Sequence, residues 1–148
     1  MAGRIEDYAL IGDMQTAALV GRDGSIDWLC LPRFDSSACF TRLLGNSDHG
    51  YWRIAPSASS GGKADAKRHY QGDTLILATE WRTATGTVRL TDFMPPRDGK
   101  PPVLTRIVEG VHGHVDMESE LRIRLGYGAI VPWVRRVCRA RRRPARYG

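Results

Sequence analysis

A long alternation of apolar and polar side chains near the end of the chain most constrains its fold. It runs over residues 114–125 and has a period of two. The apolar face carries Val115, Met117, Leu121, Ile123 and Leu125. The polar face carries His114, Asp116, Glu118, Glu120, Arg122 and Arg124. Such alternation is typical of a strand with one face in a core and one in water, which indicates an antiparallel sheet.

Earlier segments extend this prediction, because they are rich in β-branched and aromatic residues and are separated by turn residues. Strands are predicted over residues 16–20, 25–31, 51–54, 74–83, 87–94, 103–109 and 114–125. Residues 35–37 resemble a helix cap, and they predict one short helix near 38–44. No long 3.6-residue period is present. We therefore predict an all-β antiparallel β-sandwich built of meandering hairpins.

The positive charge of the chain is concentrated at its end. The net charge is +6, but residues 135–148 contain seven arginines and no acid. The other residues carry 15 Lys and Arg against 16 Asp and Glu, a net charge of −1. We therefore predict a folded domain over residues 1–136 and a disordered basic tail over 137–148, with no nucleic acid as a partner. Phosphate binding by the tail is the alternative.

The cysteines and the N-terminal residues indicate the cellular compartment of the protein. The three cysteines, at positions 30, 39 and 138, have no CxxC spacing, which argues against a disulfide framework and a zinc site. Cys30 and Cys39 are expected to pack in the core. The chain shows no secretory signal and no membrane-length apolar run. We expect a soluble cytoplasmic protein with no cofactor and no membrane partner.

Few residues suggest chemistry. Most acids lie in predicted turns or on the solvent face of a strand, so no residue is assigned a catalytic role. His112, His114 and Asp116 have the spacing of ligands on one side of a strand. A polar hairpin end is the simpler interpretation, and no metal site is predicted.

The corner formed by residues 28–36 is the remaining candidate. It gathers Trp28, Arg33, Phe34 and Asp35 around Pro32. Aromatic faces suit the apolar faces of sugar rings, and Arg and Asp suit hydroxyl groups. The ordinary alternative, which residue chemistry alone favours, places Trp28 and Phe34 in the core and has Arg33 and Asp35 pair or cap.

Several motifs in one order resemble a known family. They are IEDYALIGDMQTAALVGRDGSIDWLCLPRFDSSACFTRLLG at 5–45, GYWRIAP at 50–56, RHYQGDTLILATEW at 68–81, GTVRLTDFMPPR at 86–97, LTRIVEG at 104–110 and YGAIVPWVRR at 127–136. Over residues 4–136 the chain resembles the N-terminal domain of bacterial family-15 glycoside hydrolases, the glucoamylase-like and trehalase-like enzymes.

The resemblance implies a supersandwich-like domain that precedes an (α/α)6 barrel. In that family the barrel carries two glutamates, which hydrolyse α-glucosidic bonds with inversion. Nothing here resembles the barrel. The expected function is therefore that of a truncated, non-catalytic domain whose partners are the missing barrel and α-glucosides. The parent enzyme is expected to hydrolyse trehalose or, as the second choice, an α-glucan. Trp28, Arg33, Phe34 and Asp35 are placed at the rim facing barrel or sugar.

Two consequences follow from this resemblance. The sandwich is expected to be incomplete, with an unpaired sheet edge and poor solubility when expressed alone. The arginine-rich tail departs from the family pattern, and we hypothesise a frame shift, which translation of the downstream DNA in the other frames would test. A stand-alone carbohydrate-binding module and a nucleic-acid binder acting through the tail are the alternative functions.

Overall fold

The structure, a computed structural model, describes residues 3–60 and 65–133, and it places ten strands in two antiparallel sheets. The first sheet contains β1 (Ala9–Gly12), β2 (Ala17–Val20), β3 (Ser25–Cys30), β4 (Ala38–Phe40), β5 (Tyr51–Pro56) and β10 (Met117–Arg122). The second contains β6 (Asp65–Tyr70), β7 (Leu77–Arg82), β8 (Gly86–Phe93) and β9 (Thr105–Gly113). The predicted all-β fold is confirmed.

The order of the strands places the last two at the margins of different sheets. The first sheet runs β1-β2-β3-β5-β10, with β4 also paired to β3, and the second runs β6-β7-β8-β9. β9 and β10 are separated by only three residues, so the chain crosses from one sheet to the other there. Both outer strands therefore lie on the same side of the sandwich.

Two apolar clusters fill the space between the sheets. In the larger cluster, side chains of the first sheet such as Ile11 and Leu29 pack with Leu77 and with Met94, which follows β8. In the smaller cluster, Ile54 of the first sheet packs with a group from the second sheet, Trp81, Val88 and Leu90. All these side chains are buried. Burial of this apolar surface is the main force that holds the sheets together.

A buried ion pair adds a directional tie between the sheets. Arg106 of β9 donates to both carboxylate oxygens of Asp92 on β8, from Nε at 2.8 Å and from Nη2 at 3.1 Å. Its Nη1 donates to the carbonyl of Trp52 at 2.6 Å, and Nη2 also donates to the carbonyl of Gly24 at 2.8 Å. Both charged side chains are fully buried. One guanidinium thus fixes the second sheet against two segments of the first.

The sandwich is open along β9 and β10. Val108 pairs with the fully buried Leu90 and shares its face, yet Val108 is 44% exposed. Leu121 pairs with Trp52 on the inner face of the other sheet and is 51% exposed. The predicted alternation along the last strand is therefore present, but among the described residues the apolar face is covered only in part, and Leu121 is left half exposed.

The predicted helix near 38–44 is wrong over its first half. Residues 38–40 form β4, which pairs with β3, and all three are buried. Only Arg42–Leu44 is helical, as a single 3₁₀ turn. Asp35, one of the three residues of the predicted cap, pairs with Arg33 instead. Long-range pairing and burial therefore prevailed over a local capping signal.

Two strand boundaries also differ from the prediction. β9 continues past its predicted end at 109 to Gly113, with a register shift opposite Thr87 and Val88, and β10 is shorter than the predicted strand at 114–125. β6 was missed, because its sequence DAKRHY is polar and has no apolar alternation. Cys30 and Cys39 are buried as predicted, and burial raises the pKa of Cys39 to about 11.

The predicted tail at 137–148, with its boundary at 136 and Cys138, lies outside the described residues. In the portion that is described, no helix has both the length and the apolar character needed to span a membrane.

Candidate functional site

The β2–β3 hairpin separates two surfaces with different chemistry. Its turn, residues 21–24, lies at one end, and the predicted corner lies at the other end, where β3 leaves the sheet. The corner lies at the same end as the β1–β2 loop, which lines an apolar groove, whereas the turn lies among charged side chains. The two surfaces are described in that order.

At the corner, an ion pair flanks an exposed aromatic ring. Arg33 Nε lies 3.2 Å from Asp35 Oδ1, and both side chains are largely exposed. Phe34 is 62% exposed, and its backbone N–H donates to the carbonyl of Gln15 at 3.0 Å. The alternative that placed Phe34 in the core is therefore wrong, whereas its pairing of Arg33 with Asp35 is correct.

Trp28 does not belong to that group. It lies in β3, is partly buried, and its ring packs against Tyr127 at a centroid distance of 6.3 Å with a 48° tilt. In the described part of the chain, no hydrogen bond, ion pair or ring contact joins it to the other predicted rim residues. The structure thus groups three of the four predicted residues.

An apolar groove of about 450 Å³ lies at the corner end of the sandwich. It is lined by Gly12, Asp13, Met14, Thr74, Leu75, Ile76, Phe93, Met94, Pro95 and Pro96. Met14 is 82% exposed at its rim, one residue from the Gln15 carbonyl that holds the corner. This end therefore presents apolar surface to its surroundings, which is a property of protein-docking regions.

A buried ion pair between Asp13 and Arg97 lies next to this groove, since Asp13 is one of its lining residues. Asp13 Oδ1 accepts from the backbone N–H groups of Gln15 at 3.0 Å and Thr16 at 2.9 Å. Arg97 donates to both carboxylate oxygens, and neither side chain is appreciably exposed. Burial alone would raise the pKa of Asp13, but Arg97 and the two N–H groups outweigh it and hold the pKa below its usual value.

At the opposite end, a network surrounds the buried carboxylate of Asp27. Tyr8 Oη donates to Asp27 Oδ2 at 2.6 Å, and Ser25 Oγ donates to Oδ1. Arg42 Nη1 lies 3.3 Å from Oδ1 and donates to Ser25 Oγ at 3.0 Å. Burial, followed by the contact with Asp27, raises the pKa of Tyr8. Tyr8 therefore keeps its proton and acts as a hydrogen-bond donor.

Three pockets meet at Arg22 in the hairpin turn, and together they form what we call the Arg22 groove. The first, of about 240 Å³, is lined by Gly3, Asp7, Tyr8, Gly21, Arg22, Asp23, Asp27 and Arg42. The second, of about 250 Å³, is lined by Tyr8, Ala9, Arg22, Arg68, His69, Tyr70 and Leu77. The third, of about 630 Å³, is lined by Arg22, Asp23, Arg53, Ala55, Pro56, Ser57, Ala58, Ala66, Trp81 and Glu118.

Each carboxylate of the Arg22 groove lies beside a guanidinium. The pairs are Asp7 with Arg22 at 2.8 Å, Asp23 with Arg42 at 3.8 Å, Asp27 with Arg42 at 3.3 Å and Glu118 with Arg53 at 3.7 Å. A glycosidase needs two carboxylates that face each other across the sugar, whereas each carboxylate here is paired with an arginine. The geometry suits hydrogen bonding to a ligand better than acid catalysis.

Sequence reasoning missed this groove, although one signal was present. Asp27 stands between Ile26 and Trp28 in a strand whose burial is nearly complete. A carboxylate in such a strand requires partners, because an unpaired buried charge is costly. The partners Tyr8 and Arg42 come from other segments, so their identity required the fold.

The predicted hairpin end at 112–116 contains an exposed pair, with His114 Nε2 3.1 Å from Asp116 Oδ1. Among the residues that the structure describes, no group of three or more His, Cys, Asp or Glu side chains is placed to hold a metal ion.

Comparison with known proteins gives consistent matches. Residues 1–135 match the family described as trehalase-like, N-terminal. A trehalase of Thermoplasma volcanium is 35% identical over 133 residues, which cover 87% of this chain and 21% of that protein. A trehalase of Mycobacterium tuberculosis is 38% identical over 90 residues, which cover 61% of this chain and 13% of that protein.

Trehalase 2 of Sulfolobus acidocaldarius is 32% identical over 124 residues, which cover 84% of this chain and 19% of that protein. The chain thus spans about a fifth or less of the curated relatives it matches. No solved structure matches it.

Proposed function

The chain belongs to the trehalase-like N-terminal family, and we propose that it is the non-catalytic β-sandwich part of a family-15-type glycoside hydrolase in cytoplasmic carbohydrate metabolism. The parent reaction is the hydrolysis of trehalose, or of an α-glucan, with inversion. One observation carries the proposal. The whole folded region matches relatives named trehalase, yet it accounts for only about a fifth of the first of them. The catalytic carboxylate pair is then supplied by the remainder of the enzyme.

The open side of the sandwich supports a structural role for the rest of the enzyme, which is to cover exposed apolar side chains. Val108 and Leu121 extend the inner faces of both sheets beyond the covered core. Further exposed apolar side chains occur in β9 and after β10, namely Val111, Leu125 and Ile130, each at least 42% exposed. Further strands, and then the (α/α)6 barrel, are the partners that we propose to cover this surface.

A chimera tests the function. Residues 1–135 would replace the matched region of the Thermoplasma volcanium trehalase, and trehalose hydrolysis would be measured for the chimera, this chain alone and the relative without its N-terminal region. We expect activity from the chimera and none from either part. Hydrolysis by the chain alone, or full activity of the relative without the region, would overturn the proposal.

We predict that the open side makes the isolated chain associate with itself. Replacement of Val108 and Leu121 by lysine places charge on both inner edges, and charged edges resist strand addition. The native chain is expected to be poorly soluble and to elute as large species in size-exclusion chromatography, and V108K/L121K to shift toward monomer.

A matched control adds the same charge elsewhere. Ile5 and Leu44 are 68% and 71% exposed and lie outside all ten strands. I5K/L44K is expected to leave the elution profile unchanged. A native chain that is monomeric and melts cooperatively would contradict the prediction.

The corner gives a second prediction. Arg33→Ala and Asp35→Ala remove an exposed pair, which contributes little to the stability of this chain. The hypothesis places four residues at the rim toward the barrel or the sugar: Trp28, Arg33, Phe34 and Asp35. If it is correct, Arg33→Ala and Asp35→Ala are each expected to reduce trehalose hydrolysis by the chimera about fivefold. Arg82→Ala, which changes an exposed side chain at the end of β7, is the control. Unchanged activity and melting temperature would make the corner an ordinary turn.

A stand-alone carbohydrate-binding module is the second candidate, and the Arg22 groove favours it. An inactive chimera combined with sugar binding by the chain would select this alternative.

A further inference from the structure

We propose that the Arg22 groove binds a neutral, α-linked gluco-oligosaccharide. The choice of glucose rests on the proposed function, whereas the class of ligand, a neutral chain with many hydroxyl groups, follows from the groove itself. Three features carry this inference: the adjacency of the pockets, the balance of charge, and exposed hydrogen-bonding groups at the rim.

The three pockets adjoin one another around the hairpin turn, because they share lining residues. Arg22 lines all three, Tyr8 lines the first and second, and Asp23 lines the first and third. The third pocket alone has the size usual for small-ligand sites. A ligand longer than one sugar ring could therefore occupy adjoining pockets while passing the same arginine.

The charge of the groove is balanced. It contains the guanidiniums of Arg22, Arg42, Arg53 and Arg68 and the carboxylates of Asp7, Asp23, Asp27 and Glu118. A site for a polyanion requires an excess of positive charge, and a cation site requires the reverse. Alternating charges with no excess instead suit sugar hydroxyls, because each hydroxyl both donates and accepts.

Polar groups remain available for a ligand. At the rim, the side chains of Arg22 and Asp23 are 57% and 49% exposed, so both can reach a ligand.

Aromatic side chains line the outer pockets. Tyr70 is 39% exposed, and its hydroxyl both accepts from Leu10 N and donates to Leu10 O at 2.9 Å, which fixes the side chain in place. Trp81 also lines the third pocket, but it is only 3% exposed, so Tyr70 is the aromatic side chain that a ligand can meet. Aromatic rings combine apolar area with few rotatable bonds, a combination that suits the C–H faces of sugars.

Saturation-transfer NMR on the full chain at low micromolar concentration tests the inference. The probes are maltose, maltotetraose and trehalose, with tetragalacturonic acid as an anionic oligosaccharide. We expect maltotetraose to bind about fivefold more tightly than maltose, because it reaches further pockets. Arg22→Gln/Asp23→Asn is expected to weaken maltotetraose binding about tenfold or more, and Arg82→Gln to leave it unchanged. If the double variant does not melt cooperatively, Arg22→Gln alone replaces it, since that side chain is mostly exposed.

Absence of saturation transfer to maltotetraose, equal binding by the double variant, or tighter binding of the anionic probe would overturn the inference. The outcome is separate from that of the chimera. An active chimera with a chain that binds no sugar refutes the groove alone, whereas sugar binding with an inactive chimera refutes the proposed function alone.

Discussion

Replacement of Arg106 by leucine is expected to destabilise the chain by about 3–5 kcal/mol, enough to abolish folding if the native chain has ordinary stability. The substitution leaves the carboxylate of Asp92 buried without its guanidinium, and it removes the donors to the carbonyls of Trp52 and Gly24. Most of the loss in stability comes from the buried groups that are left without a partner, and less comes from the lost attraction between charges. Removal of one member of a buried pair leaves an uncompensated charge.

Urea unfolding, followed by circular dichroism, measures the effect. Asp92→Leu/Arg106→Leu is expected to recover part of the loss, because it removes both charges together, although the two carbonyls stay unsatisfied. Arg89→Leu is the matched control. Arg89 pairs with Glu80 and Glu109 on the partly exposed face of the same sheet, and its loss is expected to cost less than about 1 kcal/mol. Equal effects at positions 106 and 89 would contradict the assigned role.

Arg106 also shows which parts of the fold were accessible from sequence. The series Val88, Leu90 and Asp92 places an acid on the buried face of β8, so a buried partner could have been expected. The identity of that partner depends on the register between β8 and β9, where Asp92 pairs with Arg106. The sequence prediction began β9 at 103 and ended it at 109, and it gave no register.

The faces of the strands could be predicted from sequence more readily than the layers that pack against those faces. Alternation identifies which residues share a face, and this held for Met117 and Leu121. It does not reveal whether another layer covers that face, so the exposure of Leu121 does not follow from the alternation. The corner behaved in the same way, since local chemistry suggested the Arg33–Asp35 pair but gave no account of the exposure of Phe34. The Arg22 groove draws on segments as distant as Tyr8 and Glu118, a combination that no local pattern contains.

Replacement of Asp13 by asparagine is expected to cost about 3 kcal/mol at neutral pH, and the cost is expected to shrink in acid. Asparagine retains an oxygen that accepts from Gln15 and Thr16, but it leaves the buried guanidinium of Arg97 without its counter-charge. Asp13 has a pKa in the folded chain below that of the unfolded chain. Its ionised form therefore contributes stability that is complete above the unfolded pKa, about 4, and is lost as pH falls through the folded value.

The difference in unfolding free energy between the native chain and D13N therefore carries the test. Urea titrations at pH 7, 5, 4 and 3 are expected to give a constant difference over the upper two values and a smaller one below. Asp35→Asn alters an exposed pair and is expected to show little difference at any pH. A D13N difference that persists unchanged to pH 3 would mean that the amide disturbs packing rather than charge. In that case packing rather than charge would hold the loop between β1 and β2 against the segment after β8, and the structure of the apolar groove next to the pair would not change in acid.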